Sequence, residues 1–239
     1  MEKGALLYEG KAKRVYATSD PELLWIEYKD SATAFDGKKK AEIEGKGRLN
    51  NLISSIIFTR LRERGIHSHF VQQLSETEQL VKKVEIIPLE TVVRNYAAGS
   101  ISRRLGISEG EKLSRPLVEF YYKSDALGDP LLTEDHIEIL DLAKQEDVEL
   151  LKVKALQVNE VLKELFSELG IKLIDFKLEF GRDSQGNILL ADEISPDTCR
   201  LWDLETNERL DKDVFRRDLG SLTEAYTAIL ARLDQKTER

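Results

Sequence analysis

Charged side chains take alternate places in a segment that otherwise has the pattern of a buried strand. Residues 175–197 read DFKLEFGRDSQGNILLADEISPD. Because successive side chains of a strand point to opposite faces, Asp175, Lys177 and Glu179 share one face, and the apolar residues between them share the other. One face is therefore expected to pack in the core, and the other to present charges for chemistry.

A turn and a second strand-like run follow, so the segment predicts an antiparallel hairpin. Registers that pair Glu179 with either Leu190 or Asp192 put the Glu179 and Asp192 carboxylates on one face, whereas a slip of one residue separates them. Two converging carboxylates suit Mg2+, which binds one or two protein carboxylates together with phosphate oxygens and water. The alternative is a surface hairpin whose polar face is simply solvated.

A second segment, IIPLETVVRNYAAGS at residues 86–100, has the features of a phosphate pocket. Arg94 lies on a predicted strand and can donate two parallel hydrogen bonds to an anion. Ser100 is placed to cap the helix that follows, whose free amides and dipole also favour an anion. An ordinary helix cap beside an ordinary surface arginine is the alternative, since helix caps are far commoner than phosphate sites.

Hydrophobic spacing predicts the elements that position these residues. Strands are expected over residues 5–43, 80–87 and 91–94, with Pro88 interrupting the last two. Helical spacing predicts three helices, at about 49–61, 145–169 and 213–233. Strand blocks followed by helices favour an α+β fold. The change from strand-rich to mixed sequence near residues 80 to 90 predicts a β-rich N-terminal domain, 1–84, and a larger domain, 85–239.

Composition excludes several classes of protein. A net charge of −8 over 239 residues argues against a general nucleic-acid binder, which needs a broad basic surface. The single cysteine, Cys199, cannot form an internal disulfide, and no apolar run approaches a membrane span, so a soluble, cytoplasmic protein is expected. His67 and His69 lack a third metal ligand and are interpreted as structural or solvated.

Both segments match, position by position, motifs of the SAICAR synthetase family, which the chain resembles over essentially its whole length. YEGKAKRVY, TAFDGKKKAEIEGKG, DALGDP and ADEISPDTCRLWD carry the resemblance further. It implies an ATP-grasp-like fold with the nucleotide in a cleft between two domains. The implied reaction is the ATP-dependent ligation of L-aspartate to the carboxylate of carboxyaminoimidazole ribonucleotide, with Mg2+, in purine biosynthesis. The length is that of the stand-alone bacterial type, and a homodimer is expected.

The matching motifs also imply roles for individual residues. Expected ATP-binding residues are Lys11, Lys13, Lys82, Lys123 and Glu179. Expected metal ligands are Glu179, Asp192 and Asp36. Expected substrate-binding residues are Arg94, Ser100, Lys177, Arg200 and Arg216. Lys177 and Asp175 are expected to face the reacting centre as catalytic residues.

Two other classes of function stay open from the sequence. The first is a kinase or another ATP-grasp ligase that uses the same nucleotide site with a different acceptor. The second is a noncatalytic nucleotide-binding protein, against which the joint presence of Lys177, Glu179 and Asp192 argues.

Overall fold

The structure, a computed structural model, describes residues 1–34 and 37–237. Its strands are β1 Lys3–Glu9, β2 Lys13–Thr18, β3 Leu23–Tyr28, β4 Ser31–Ala34, β5 Lys39–Glu42, β6 Phe70–Gln73, β7 Glu78–Lys82, β8 Glu85–Tyr96, β9 Lys112–Tyr122, β10 Leu131–Leu132, β11 Ile171–Arg182, β12 Ile188–Ala191 and β13 Cys199–Asp203. Its helices are α1 Lys46–Glu63, α2 Ser100–Leu105, α3 Glu134–Ile139, α4 Gln145–Glu168, α5 Asp213–Arg216 and α6 Leu222–Thr237.

The strands form two large antiparallel sheets and a separate hairpin, β4–β5. The first sheet has the order β1-β2-β3-β7-β6, and the second has the order β10-β9-β8-β11-β12. In the second sheet β11 is central, because β8 pairs along one edge while β12 and β13 pair with different halves of the other edge. The predicted α+β architecture with antiparallel sheets is confirmed.

The main core lies between the second sheet and the long helices. Apolar side chains four residues apart on α1, such as Ile53 and Ile57, are fully buried in it. From β11, Phe176, Leu178 and Phe180 enter the same core. Full burial of each such side chain contributes roughly 1.5–3 kcal/mol. This packing holds β11 in place and directs its charged residues to the opposite face, as the alternation predicted.

Pro88 does not interrupt the sheet, contrary to the prediction, because it lies inside β8 at a bulge. Opposite β11 the register shifts between Glu90 and Ile86, so Pro88 sits where the ladder is irregular. The missing N–H of a proline is tolerated at such a place. Its carbonyl still accepts a hydrogen bond of 3.1 Å from the backbone N–H of Lys123.

The predicted helix at 213–233 is wrong as a single element, because α5 and α6 replace it. Asp218 and Gly220 have φ of 53° and 148°, values that a continuous right-handed helix does not contain. The Ser221 hydroxyl then accepts a 3.3 Å hydrogen bond from the N–H of Glu224, which starts α6. Among the described helices, none combines the length and apolar character needed to cross a membrane.

Candidate active site

One face of the second sheet carries charges from two neighbouring strands. In the antiparallel register Asp175 lies opposite Arg94, and Glu179 lies opposite Glu90. Directly opposed residues project to the same face, so β8 and β11 together present basic and acidic groups side by side. Asp175 and Glu179 are only 3% and 4% exposed, so their charges must be paired.

Lys177 is at the centre of one group of charges, which we call the lysine–carboxylate cluster. Its Nζ lies 2.6 Å from Glu179 Oε1, 3.0 Å from Asp192 Oδ2 and 3.4 Å from Glu90 Oε1. Two further lysines bind the same carboxylates from other elements. The cluster consists of Lys13, Glu90, Lys123, Lys177, Glu179 and Asp192.

Those two lysines come from different sheets. Lys123, just after β9, places its Nζ 2.9 Å from Glu179 Oε1. Lys13 reaches from β2 of the first sheet to form an ion pair with Asp192. The ion pairs of this cluster therefore connect the two sheets.

Glu179 and Asp192 converge, but not by the predicted register. The structure pairs Glu179 with Ala191, the register that slips by one residue and places Asp192 opposite Leu178 on the buried face. The prediction of register is therefore wrong. Asp192 instead leaves the strand with a left-handed φ of 58°, and this rotation brings its carboxylate back to Lys177.

Pairing fixes the charges in this cluster. Burial disfavours the ammonium of Lys177, but Asp192, Glu179 and Glu90 outweigh it and raise the Lys177 pKa well above its usual value. Burial likewise disfavours the Asp192 carboxylate, yet Lys13 and Lys177 hold its pKa well below its usual range. These shifts favour the ammonium form of Lys177, which can stabilise negative charge, and the carboxylate form of Asp192.

A second group, the arginine cluster, surrounds Asp175. Arg94 is 3% exposed and donates hydrogen bonds of 2.6 Å to Asp175 and 2.7 Å to Glu119. Arg200 donates to both oxygens of Asp175, at 3.1 and 3.0 Å. Asp213 continues the network to Arg200 and to Arg216, at 3.1 and 2.6 Å. The cluster comprises Arg94, Ser100, Asp175, Arg200, Asp213 and Arg216.

Ser100 joins this cluster but does not cap the helix as predicted. It is the first residue of α2, Gly99 precedes it, and the helix has no side-chain cap. The Ser100 hydroxyl instead accepts a 3.0 Å hydrogen bond from Arg94. Gly99 has φ 64° and ψ −121°, and a Cβ there would lie 2.5 Å from an Arg200 nitrogen. Glycine is therefore required where the backbone approaches Arg200.

Two predicted residues lie outside both clusters. Lys11 forms an ion pair with Asp125, 2.7 Å apart, and both side chains are more than half exposed. Lys82 has an exposed side chain, although its backbone N–H donates a 2.7 Å hydrogen bond to the carbonyl of His69. Asp36 lies outside the described residues.

Several charged residues that pair with the predicted ones were not predicted from the sequence. Glu90 lies four residues before Arg94 on the same strand, so alternation alone was a usable signal for it. Glu119 and Asp213 gave no such signal, because they meet the arginines only through long-range packing. The fully buried Lys46 was also missed, although its Nζ lies 2.7 Å from Asp197 Oδ2.

The lysine–carboxylate cluster fits one kind of metal. In the described ranges, 1–34 and 37–237, no three His, Cys, Asp or Glu residues are grouped to hold an ion by themselves. Glu179 and Asp192 nevertheless reach a common point, since both contact the Lys177 ammonium. Two carboxylates without softer ligands are the donor set of Mg2+ bound jointly with phosphate oxygens.

Comparison with known proteins gives a consistent result. The family model described as SAICAR synthetase matches residues 6–233. Phosphoribosylaminoimidazole-succinocarboxamide synthase of Halalkalibacterium halodurans is 64% identical over 236 residues, which cover 99% of this chain and 100% of the relative. The crystal structure of that synthase from Ehrlichia chaffeensis superposes with a TM-score of 0.94 at 48% identity, covering 96% of this chain and 98% of the other. A SAICAR synthetase in complex with ADP gives 0.92 at 50% identity, covering 95% and 96%.

Proposed function

Because the chain belongs to the SAICAR synthetase family, we propose that it joins L-aspartate to the carboxylate of carboxyaminoimidazole ribonucleotide. The reaction consumes ATP and yields the succinocarboxamide, ADP and phosphate in purine biosynthesis. One observation carries the proposal: β11 presents an arginine-bound carboxylate, a lysine and a second carboxylate on one face, at Asp175, Lys177 and Glu179. Arginines that can bind an anion thus lie beside a lysine that can neutralise negative charge.

The arginine cluster is the proposed site of the ribonucleotide phosphate. Arg94 and Arg200 offer planar donor forks that a lysine cannot reproduce, and Ser100 adds a hydroxyl. Arg94 is already oriented by its bonds to Asp175 and Glu119, so little side-chain entropy is lost when the phosphate binds. Arg216 is proposed to bind the aspartate substrate. Its present partner, Asp213, competes for the guanidinium.

The lysine–carboxylate cluster is the proposed site of the ATP phosphates. Glu179 and Asp192 would hold Mg2+ on the ATP phosphates, and the ion would neutralise phosphate charge during transfer. Asp36 would help to hold a metal at the imidazole carboxylate. Lys13 and Lys123 already form ion pairs with these carboxylates and would contact the phosphates. Lys11 and Lys82 are proposed to bind ATP as well.

The proposed reaction sequence begins with activation of the ribonucleotide carboxylate, because an amine cannot displace an oxygen from an unactivated carboxylate. We propose that the ribonucleotide carboxylate attacks the γ-phosphorus and breaks its bond to ADP, giving an acyl phosphate. The aspartate amine then attacks the acyl carbon, phosphate leaves with one former carboxylate oxygen, and the nitrogen loses one proton as the amide forms. Lys177, fixed as an ammonium, stabilises the charge on the transferred group, and Asp175 faces the reacting centre.

We further propose an ATP-grasp-like arrangement, with the nucleotide between a domain of residues 1–84 and a domain of residues 85–239. The ion pair between Lys13 of the first sheet and Asp192 beside the second supports this location. A cytoplasmic homodimer is part of the same proposal, and sedimentation velocity checks its subunit number.

The proposed function is tested by ADP release from Mg-ATP, with carboxyaminoimidazole ribonucleotide and L-aspartate each omitted in turn. Release that needs both substrates supports the ligase. Release without aspartate would indicate a kinase or uncoupled acyl-phosphate chemistry. No release would indicate a binding protein or a different acceptor. Ribonucleotide labelled with 18O in its carboxylate tests the acyl phosphate, because one label must then appear in the released phosphate.

A further inference from the structure

Asp192 reaches the active face only because its backbone adopts an unfavourable conformation. In the observed register an extended Asp192 would lie opposite Leu178, on the buried side of the sheet. Its φ of 58° turns the side chain to the other side. A left-handed backbone costs up to roughly 1–2 kcal/mol in a residue other than glycine, and aspartate is among the residues that adopt it most readily. Contacts that favour this conformation at Asp192 therefore decide on which face of the sheet its carboxylate lies.

The side chain of His69 is the group in contact with this backbone. Its Nε2 lies 2.9 Å from the carbonyl oxygen of Asp192. A carbonyl oxygen only accepts hydrogen bonds, so the Nε2 atom carries the proton and donates it. The His69 residue is 4% exposed, and its ring packs edge-on against Phe58 with centroids 5.7 Å apart. The donor is thus shielded from water and held in one orientation.

The backbone of His69 is itself held by both sheets. Its N–H donates a 2.7 Å hydrogen bond to the carbonyl of Leu190 on β12, two residues before Asp192. Its carbonyl accepts a 2.7 Å hydrogen bond from the N–H of Lys82, at the end of β7. The ring is therefore fixed relative to β12, and the position of the Asp192 carbonyl is fixed through the ring.

We infer that His69 is a positioning residue for Asp192. The Nε2–H of His69 holds the left-handed turn that directs the Asp192 carboxylate to Glu179 and Lys177. This inference rests on the metal-binding part of the proposed function. His69 does not touch the reacting atoms. Its effect is confined to the placement of one metal ligand, so the ribonucleotide site around Arg94 should not respond to its loss.

Three variants of the full chain separate positioning from packing. His69→Met keeps the volume but removes the donor, whereas His69→Gln keeps a donor of similar reach. His69→Asn keeps the amide but shortens it by one methylene, so its donor falls short of the carbonyl. The readout is Mn2+ binding in the presence of ADP, followed by electron paramagnetic resonance, beside the dissociation constant of the ribonucleotide.

We expect His69→Met to weaken Mn2+ binding by about tenfold or more, the usual effect of removing a group that orients a metal ligand. His69→Gln should bind Mn2+ nearly as the wild type does, and all variants should keep ribonucleotide affinity. If His69→Met does not fold, the same contrast between His69→Asn and His69→Gln decides the question. Equal Mn2+ affinity in the donor and non-donor variants would overturn the inference.

Wild-type protein and Asp192→Asn distinguish a failure of this inference from a failure of the proposed function. Mn2+ binding that depends on ADP and is lost in Asp192→Asn supports the proposed metal site independently of His69. Absence of such binding in the wild type would reject the metal site, and the inference with it.

Discussion

His69 should make the folded protein sensitive to mild acid. Burial, assisted by the charge of Lys13, lowers the pKa of His69 from 6.5 to about 4. Below pH 6.5 the unfolded chain takes up a proton that the folded protein refuses, so stability falls as the pH drops toward 4. Between pH 7 and pH 5 the loss from this group is about 2 kcal/mol.

Urea unfolding at both pH values, in EDTA, measures this effect in the wild type and in His69→Gln. With an m-value of about 3 kcal/mol/M, the acid-induced shift of the midpoint should be roughly 0.6 M smaller in the variant. His67→Gln is the matched control, since the ring of His67 is exposed. Equal acid-induced shifts in wild type and His69→Gln would refute the reasoning.

Three further outcomes are expected. Arg94→Lys should raise the KM for the ribonucleotide by about 100-fold in steady-state assays. A lysine loses the bidentate geometry and at least one charged hydrogen bond, worth about 1.5–3 kcal/mol. An unchanged KM would remove Arg94 from the phosphate site. Gly99→Ala should raise the same KM, because the added Cβ clashes with the guanidinium of Arg200. Gly106→Ala is the control, since Gly106 has φ 67° and open space around it, and it should leave this KM unchanged. Equal increases in KM for both variants would indicate backbone strain alone. Tyr226→Phe leaves the buried Asp197 without a 2.6 Å hydrogen bond and should lower the unfolding free energy by about 1.5–3 kcal/mol in urea titrations, while a change near zero would contradict the pairing.

The face of β11 was predictable because strand alternation is a local property. Asp175, Lys177 and Glu179 carry the charged pattern within five residues, and their apolar neighbours specify the packed side. The bounds of α4 were predictable for the same reason, since its apolar stripe repeats at helical spacing from about residue 145.

Convergence of Glu179 and Asp192 was predicted for the wrong reason. Alternation assumes that both residues stay in regular strands, but the positive φ of Asp192 is fixed by a hydrogen bond from His69, 123 residues away in sequence. No local pattern contains that contact. The sequence therefore indicated which carboxylates converge without indicating how they meet.

Ser100 shows a similar limit of local patterns. A serine before a helix is a common cap, and that preference holds when its hydroxyl is free. Here Arg94 donates to the hydroxyl, and Gly99 takes the preceding backbone position beside Arg200. The grouping of Arg94 with Ser100 was predictable from the motif that contains both, whereas the partner of each side chain depended on how distant strands packed.

The most direct test of the central claim is ADP release, with both substrates present, by Lys177→Ala, Asp192→Asn and the control Lys172→Ala. Lys172 lies on the same strand, but its ammonium binds Asn207, 2.8 Å away, outside the lysine–carboxylate cluster. Lys177→Ala and Asp192→Asn should each lower the rate by about 100-fold or more, as expected for loss of preorganised charge stabilisation, and Lys172→Ala should remain near the wild-type rate. Near-wild-type release by Lys177→Ala would contradict the assignment of this face as the active site.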